Sequence, residues 1–344
     1  MPRRTGRTGD RRGKYAGPGF ALALVLILAG TSFYMIYMPG TSWSGALPPL
    51  TREEAQLSDR LGKHVTRLAG EIGERNVWRN GTLDATADTI EATFRESGYA
   101  VSSQAFKSRE KTVRNLEVEI TGNSLAEEII VIGAHYDTVM DSPGANDNAS
   151  GIAALLEIAR LLKGKPLARS VRFVAFANEE APFFYTWEMG SHVYANRAHE
   201  RGEQIIAMIS LETIGYYSDA AGSQHYPNPV YAWLYPNTGN FVGFVGNLAS
   251  RKLVRRCIHS FRRHTAFPAE GIAAPGRMEG IHWSDHWSFW QENYPALMVT
   301  DTAPFRYPHY HKRTDTPDKI DYERLARVVT GLARVTEDLA QAGL

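Results

Sequence analysis

The sequence predicts a single α/β domain with a mixed, mostly parallel central sheet covered by helices on both faces, preceded by an N-terminal transmembrane helix. Short apolar runs alternate with stretches of helical period over most of the chain, the pattern of a parallel sheet with crossover helices. Three of these runs end in acidic or imidazole side chains, and ligands and chemistry collect at the carboxyl ends of strands in open α/β sheets. The length, 344 residues, suits one such domain plus a short extra segment.

The amino terminus comes first. Arg3, Arg4, Arg7, Arg11, Arg12 and Lys14 form a basic cluster with one acid, Asp10. Residues 1–19 are therefore expected to be a basic cytoplasmic tail. Residues 20–38 carry no charge and approach the roughly 20 residues that span a bilayer, so they read as a signal anchor. Positive charge precedes the span, and Arg52 is the first basic residue after it, which places the body outside the cytoplasm. The alternative is a cleaved signal peptide with Ser44-Gly45-Ala46 as the cleavage site, which would release the same body.

Residues 39–50 are rich in Gly, Ser and Pro and read as a linker to a domain over 51–344. Outside the basic cluster the chain has 32 basic and 36 acidic residues, a net of −4, which argues against nucleic acid as a partner. The single cysteine, Cys257, excludes an intramolecular disulfide and reads as a buried small hydrophobe.

Within the domain, Thr51 begins a helix with Glu53 and Glu54 in its first turn. Residues 82–97 read as a second helix. Residues 100–106 and 113–121 read as an edge hairpin. The run Ile129-Ile130-Val131-Ile132-Gly133-Ala134 is a buried strand, with His135-Tyr136-Asp137 at its end. Residues 143–151 form a Gly/Asn/Asp loop that opens a helix over 148–162, where Ile152, Leu155, Leu156, Ile158, Ala159 and Leu162 share a broad apolar face. Further strands are expected at 171–177, ahead of Asn178-Glu179-Glu180, and at 205–211, ahead of Glu212. A helix at 190–201 lies between them. Residues 241–267 are expected to hold further helices and residues 267–283 a long loop. A short strand at 296–300 and a closing helix at 322–339 complete the domain.

His135, Asp147, Glu180, Glu212 and His311 stand out as a set. Imidazole with carboxylate and no thiolate suits zinc or a similar divalent metal in a catalytic site. Each piece alone is more often an ordinary surface or core group; the joint pattern points to metal.

The segments Gly133-Ala134-His135-Tyr136-Asp137, Gly144-Ala145-Asn146-Asp147-Asn148-Ala149-Ser150-Gly151, Asn178-Glu179-Glu180, Glu212-Thr213-Ile214-Gly215, and Tyr310-His311 with Asp315-Thr316 resemble the co-catalytic di-zinc exopeptidase family of bacterial leucyl aminopeptidase, aminopeptidase Y and glutamate carboxypeptidase. The resemblance spans roughly residues 60–340. It implies two zinc ions per chain, with Asp147 bridging, His135 and Glu212 on one metal, and Glu180 and His311 on the other. It implies Glu179 as general base, Asp137 as the carboxylate that orients the His135 ring, and a cis peptide bond after Asp147. Asp315 is expected to orient the loop carrying His311. Asp285 is expected to cap a helix, to support the site, or both. His309, His282 and His286 are the weaker candidates for metal ligation.

Two departures from the family are expected to matter. Glu212 stands where the family often has Asp. An aromatic insertion, Ala181-Pro182-Phe183-Phe184-Tyr185-Thr186-Trp187-Glu188, follows Glu180 and either walls a substrate pocket or packs on a neighbouring loop. Arg277 is a candidate substrate contact. The expected activity is a membrane-anchored, zinc-dependent exopeptidase of the aminopeptidase type acting on peptides. The alternatives are a glutaminyl-cyclase-like acyltransferase on the same scaffold and a non-catalytic, receptor-like binding protein. Substrate preference, the terminus attacked, the native metal and the oligomeric state are not legible in the sequence.

Overall fold

The computed structural model of the chain describes residues 18–341. It divides into an amino-terminal unit ending at Tyr37 and a body from Met38 onward. The first unit contains the helix α1, Pro18–Ile36. The basic cluster of residues 1–14 lies outside the described residues, as do several side chains of α1. Among the described residues no helix is long and apolar enough to cross a membrane.

The body opens with α2, Arg52–Val65. Its start is a capping box: the Thr51 hydroxyl accepts the Glu54 N–H, and the Glu54 carboxylate accepts the Thr51 N–H. α2 continues as a wider π-helical turn, Thr66–Ile72. Then come α3 (Thr82–Glu96), β1 (Ser102–Ser108), β2 (Lys111–Ile120), β3 (Leu125–His135), α4 (Gly151–Leu162), β4 (Arg169–Phe176), α5 (Gly190–Glu200) and β5 (Gln204–Glu212). The second half adds β6 (Val242–Asn247), α6 (Arg251–His264), β7 (Ala269–Ala274), α7 (His286–Gln291), β8 (Ala296–Thr300) and α8 (Tyr322–Ala340).

The eight strands form one sheet in the order β1-β2-β4-β3-β5-β8-β6-β7. β4, β3, β5 and β8 run parallel, and β1 and β2 form the antiparallel edge hairpin expected from the sequence. At the other edge β6 pairs antiparallel with β8 and parallel with β7. Two strands here correct the sequence reading. Residues 242–247 were expected in a helical stretch and 269–274 in a loop. Val242-Gly243-Phe244-Val245-Gly246-Asn247 and Ala269-Glu270-Gly271-Ile272-Ala273-Ala274 are short and rich in small residues, so neither shows the period-2 alternation that marks a strand.

Alternation along β3 divides the core in two. Ile130, Ile132 and Ala134 join the larger cluster, under α2, α3, α4, α6 and α8. Ile129 and Val131 join the smaller one, with Tyr194 and Ala195 of α5 and Phe289 of α7. Helices therefore cover both faces, and the parallel strands, buried on each side, are apolar almost throughout. Residues 39–48 form neither helix nor strand and lie on the body. The Arg262 guanidinium donates to the carbonyls of Pro39 and Gly40, and the Ser42 hydroxyl accepts the Ala269 N–H.

Candidate active site

β3 ends on His135, whose ring is almost fully buried. The chain then turns through residues 136–150, tied down by Arg75. This fully buried arginine donates to the carbonyls of Tyr136 (2.9 Å), Pro143 (2.5 Å) and Gly144 (2.9 Å). Gly144 is in the left-handed region (φ 61°), and a Cβ there would come within 2.2 Å of the Asp147 carbonyl oxygen and 2.3 Å of Thr138 Cγ2. The bond between Asp147 and Asn148 is cis.

Asparagines on both sides of Asp147 stitch the loop to the end of β5. Asn146 donates to Asp301 (2.9 Å) and accepts the Gly215 N–H (2.8 Å). Asn148 donates to the Leu211 carbonyl (2.8 Å) and accepts the N–H groups of Gly151 and Thr213 (3.1 Å each). Asp315 holds the loop from the other side, accepting the N–H groups of Asn146 (2.8 Å) and Asp147 (3.1 Å) and the Tyr307 hydroxyl (2.7 Å).

The five expected ligands meet as two overlapping triads. His135, Asp147 and Glu212 offer ligand atoms that all lie within 4.8 Å of one another, and so do Asp147, Glu180 and His311. Asp147 is common to both: its Oδ1 faces His135 Nε2 at 3.4 Å and its Oδ2 faces His311 Nε2 at 3.0 Å. Glu212 Oε2 is 3.2 Å from His135 Nε2, and Glu180 Oε2 is 3.5 Å from His311 Nε2. The longer arm of Glu212 is accommodated, and its Oε2 accepts the Ser284 hydroxyl (2.7 Å). Asn178, Thr213 and His311 all have positive φ (57°, 44° and 57°), so backbone strain gathers beside three of the ligand positions.

Asp137 organises the Glu179–Glu180 turn. Its Oδ1 accepts the Glu179 N–H (2.9 Å), its Oδ2 accepts the Glu180 N–H (3.1 Å), and Oδ1 stands 3.5 Å from His135 Nδ1. Glu179 Oε2 is 3.9 Å from His135 Nε2. Asp285 is fully buried, and the charges of His135 and Glu212 act on it. Of the roles expected for it, the helix cap is not formed: no side-chain bond runs to α7. His309 bonds Thr314 instead of joining the cluster, His282 bonds Tyr185, and the His286 ring nitrogen bonds the Ile281 carbonyl. In the aromatic insertion, Phe183 turns inward and stacks on Trp78, and Tyr185 packs on His282 and Trp287. Arg277 is exposed.

The donor set fits divalent metal. Buried atoms without a hydrogen-bond partner converge here: both ring nitrogens of His135, Oδ1 of Asp147 and Oε1 of Glu180. Such groups are costly unless something binds them. Burial, reinforced by the neighbouring carboxylates, pushes Glu179 and Glu180 well above the usual carboxylate range, and burial raises Glu212. Asp285 is pushed up to about 7 and Asp315 to about 6, again chiefly by burial. At Asp147 burial acts upward, but His135 and His311 outweigh it and hold the carboxyl low. The buried Arg75 guanidinium interacts with Asp315, Asp137, Asp147 and Glu180. A pair of divalent cations would relieve this crowding.

Four contributors escape a reading of the sequence. Arg75, Asp301, Ser284 and Tyr307 lie in no recognisable pattern, and each acts through a partner at least eight residues away along the chain.

An open cavity adjoins the cluster, about 870 Å³ counting its mouth, and runs from Glu212 and Tyr310 beneath Tyr226, Tyr235 and Phe305.

The peptidase family M28 model matches residues 115–336. The uncharacterized protein YfbL of Escherichia coli (strain K12) is 37% identical over 331 residues, which is 91% of this chain and 95% of that protein. The probable lipoprotein aminopeptidase LpqL of Mycobacterium tuberculosis is 27% identical over 312 residues, 84% of this chain and 59% of that one. Among solved structures, BSAP, a zinc aminopeptidase from Bacillus subtilis, superposes with a TM-score of 0.65 over 83% of this chain and 95% of that one, at 14% identity. Porphyromonas gingivalis glutaminyl cyclase superposes with a TM-score of 0.61 at 20% identity, covering 82% and 98%. At these identities the superpositions speak for the fold.

Proposed function

The chain belongs to peptidase family M28 and is a zinc metallopeptidase; from that footing we propose that it is an exopeptidase of the aminopeptidase type, holding two zinc ions, with Glu179 as general base. The observation that carries this is the sharing of Asp147 between two complete triads. His135 and Glu212 would hold one ion and Glu180 and His311 the other. Two bound cations supply Lewis acidity and local positive charge where the peptide carbonyl is attacked.

The chain's own residues do the rest. Glu179 takes a proton from the attacking water as oxygen bonds to the carbonyl carbon. It delivers that proton to the leaving amine as the carbon–nitrogen bond breaks. Asp137 fixes the turn that carries Glu179 and Glu180 by accepting both backbone N–H groups. Asp315, with Asn146 and Asn148, holds the backbone of Asp147.

Both triads are complete, which favours the two-metal hydrolase over an acyltransferase on the same scaffold and over a receptor-like protein that has lost ligands. The anchor at residues 20–38, with the catalytic body outside the cytoplasm, belongs to the same proposal and is supported by charge and hydropathy in the sequence. Peptides and aminoacyl amides, scanned with chelator and again after adding zinc, test the activity. The expected result is zinc-dependent release of the amino-terminal residue. Release from the carboxyl terminus alone would reassign the specificity, and no zinc-dependent cleavage at either end would refute the proposal.

A further inference from the structure

The far end of the cavity beside Glu212 plays no part in the chemistry described so far. Glu212, Thr300, Gly243 and Glu270 are successive register partners across β5, β8, β6 and β7. Cross-strand partners face the same side of a sheet, and all four residues line the cavity. Three strand steps of about 4.8 Å put the Glu270 backbone about 14 Å from that of Glu212. Gly243 leaves the row open between them. A Cβ there would already sit tight, 3.3 Å from the Thr300 carbonyl oxygen with Thr302 Cγ2 at 3.5 Å, and a longer side chain would fill the passage.

The walls are aromatic, from Tyr226, Tyr231, Tyr235, Phe241, Trp283 and Phe305. Aromatic faces around an acidic floor suit a cation. Burial pushes Glu270 up, with the Ser42 hydroxyl and Arg262 acting against it. Arg262 Nη2 stands 3.6 Å from Glu270 Oε2, beyond hydrogen-bond reach. Its N–H groups go instead to the carbonyls of Pro39, Gly40 and Ala269. Arg262 therefore offsets the charge without donating to the carboxylate, and with one hydrogen bond taken by the Ser42 hydroxyl the two oxygens keep lone pairs for a donor from the cavity.

We infer that this pocket selects peptides whose cleaved terminal residue carries a long cationic side chain, lysine or arginine, with its head held by Glu270 between the aromatic walls. The inference rests on the exopeptidase reading above. A lysine spans about 6 Å from Cα to its terminal nitrogen. A hydrogen bond adds about 3 Å, so the side chain covers about 9 Å of the roughly 14 Å row, and the peptide backbone between that Cα and the ligand cluster covers the rest. Alanine and leucine leave the far end empty.

The test uses the zinc-loaded full chain and tripeptides with lysine, arginine, norleucine, leucine or alanine at the amino terminus, and the same set at the carboxyl terminus. Norleucine keeps the four-carbon stem of lysine and lacks the charge. The expected kcat/KM for lysine exceeds that for norleucine by about tenfold to a hundredfold, the range for a hydrogen bond to a charged group. In Glu270→Gln this ratio falls to about one, and in Gly243→Val lysine loses ground to alanine. Each ratio is taken within one preparation, so folding and metal content cancel. Norleucine cleaved as well as lysine by the wild-type chain, or an unchanged ratio in Glu270→Gln, overturns the inference and leaves the exopeptidase reading standing. Cleavage of no peptide at either end overturns both.

Discussion

Replacing Asp137 by asparagine tests whether the Glu179–Glu180 turn is positioned by one carboxylate. Both Asp137 oxygens are in use, with Glu179 N–H at 2.9 Å on one and Glu180 N–H at 3.1 Å on the other. An amide of the same shape has one oxygen. Whichever way it turns, its NH2 group faces a buried backbone N–H, and in one orientation it also faces His135 Nδ1, which now stands 3.5 Å from the carboxylate. The variant thus loses one hydrogen bond to a charged acceptor, worth about 1.5–3 kcal/mol, and leaves a buried donor unpaired. With about 2–4 °C per kcal/mol for a domain of this class, the melting midpoint should fall by roughly 3–12 °C. Metal affinity or activity should fall about 10–100-fold, the usual effect of removing the group that orients a ligand histidine. Zinc titration against a competing chromophoric chelator, thermal melts and kcat/KM at saturating zinc measure the three effects. An Asp137→Asn chain with wild-type zinc affinity and an unmoved midpoint would refute the positioning role.

Glu179→Gln should keep both ligand triads intact and lose about 10²–10⁴-fold in turnover, because an amide cannot accept the proton from water at neutral pH; near wild-type turnover with full zinc content would remove the residue from that role. The metal-free protein should lose stability as pH rises from about 5 to 8. Asp285, Asp301, Asp315, Glu179, Glu180, Glu212, His135 and His311 all have raised folded-state pKa values, outnumbering the lowered histidines His282, His286 and His309, while the lowered Asp147 titrates below this window. The native state therefore binds more protons than the unfolded chain across that window, and the slope of stability against pH is negative. Zinc requires deprotonated ligands and should cancel or reverse the slope, so calorimetry of the chelated chain showing stability flat or rising over this range would contradict the reading. Fractionation with protease protection should find the full chain in membranes and digested from the outer side; a full-length chain free in the cytoplasm would overturn the anchor and leave the peptidase assignment untouched.

Local pattern determined much of this protein. The apolar runs that became β3, β4 and β5 announced themselves and ended where ligands stand, because a strand buried on both faces must be apolar throughout and change character where it leaves the sheet. The capping signal at Thr51 and the edge hairpin were equally legible, each being set by neighbours in sequence; the Asn146-Asp147-Asn148 loop was legible as a loop, but its long-range bonds hold its shape. The tertiary structure alone decided what depends on pairing across distance. β6 and β7 hold short, small-residue sequences and exist as strands only because β8 and α6 supply partners. Arg75 and Asp301 are unremarkable in the sequence, and they acquire their roles when β3, β5 and β8 bring their loops to one edge of the sheet. The row from Glu212 to Glu270 is likewise invisible along the chain: 58 residue numbers separate its ends, and only strand register places them on one face of one cavity. A side chain's chemistry is fixed by its identity, but its partners are fixed by pairing, and pairing is a property of the whole sheet.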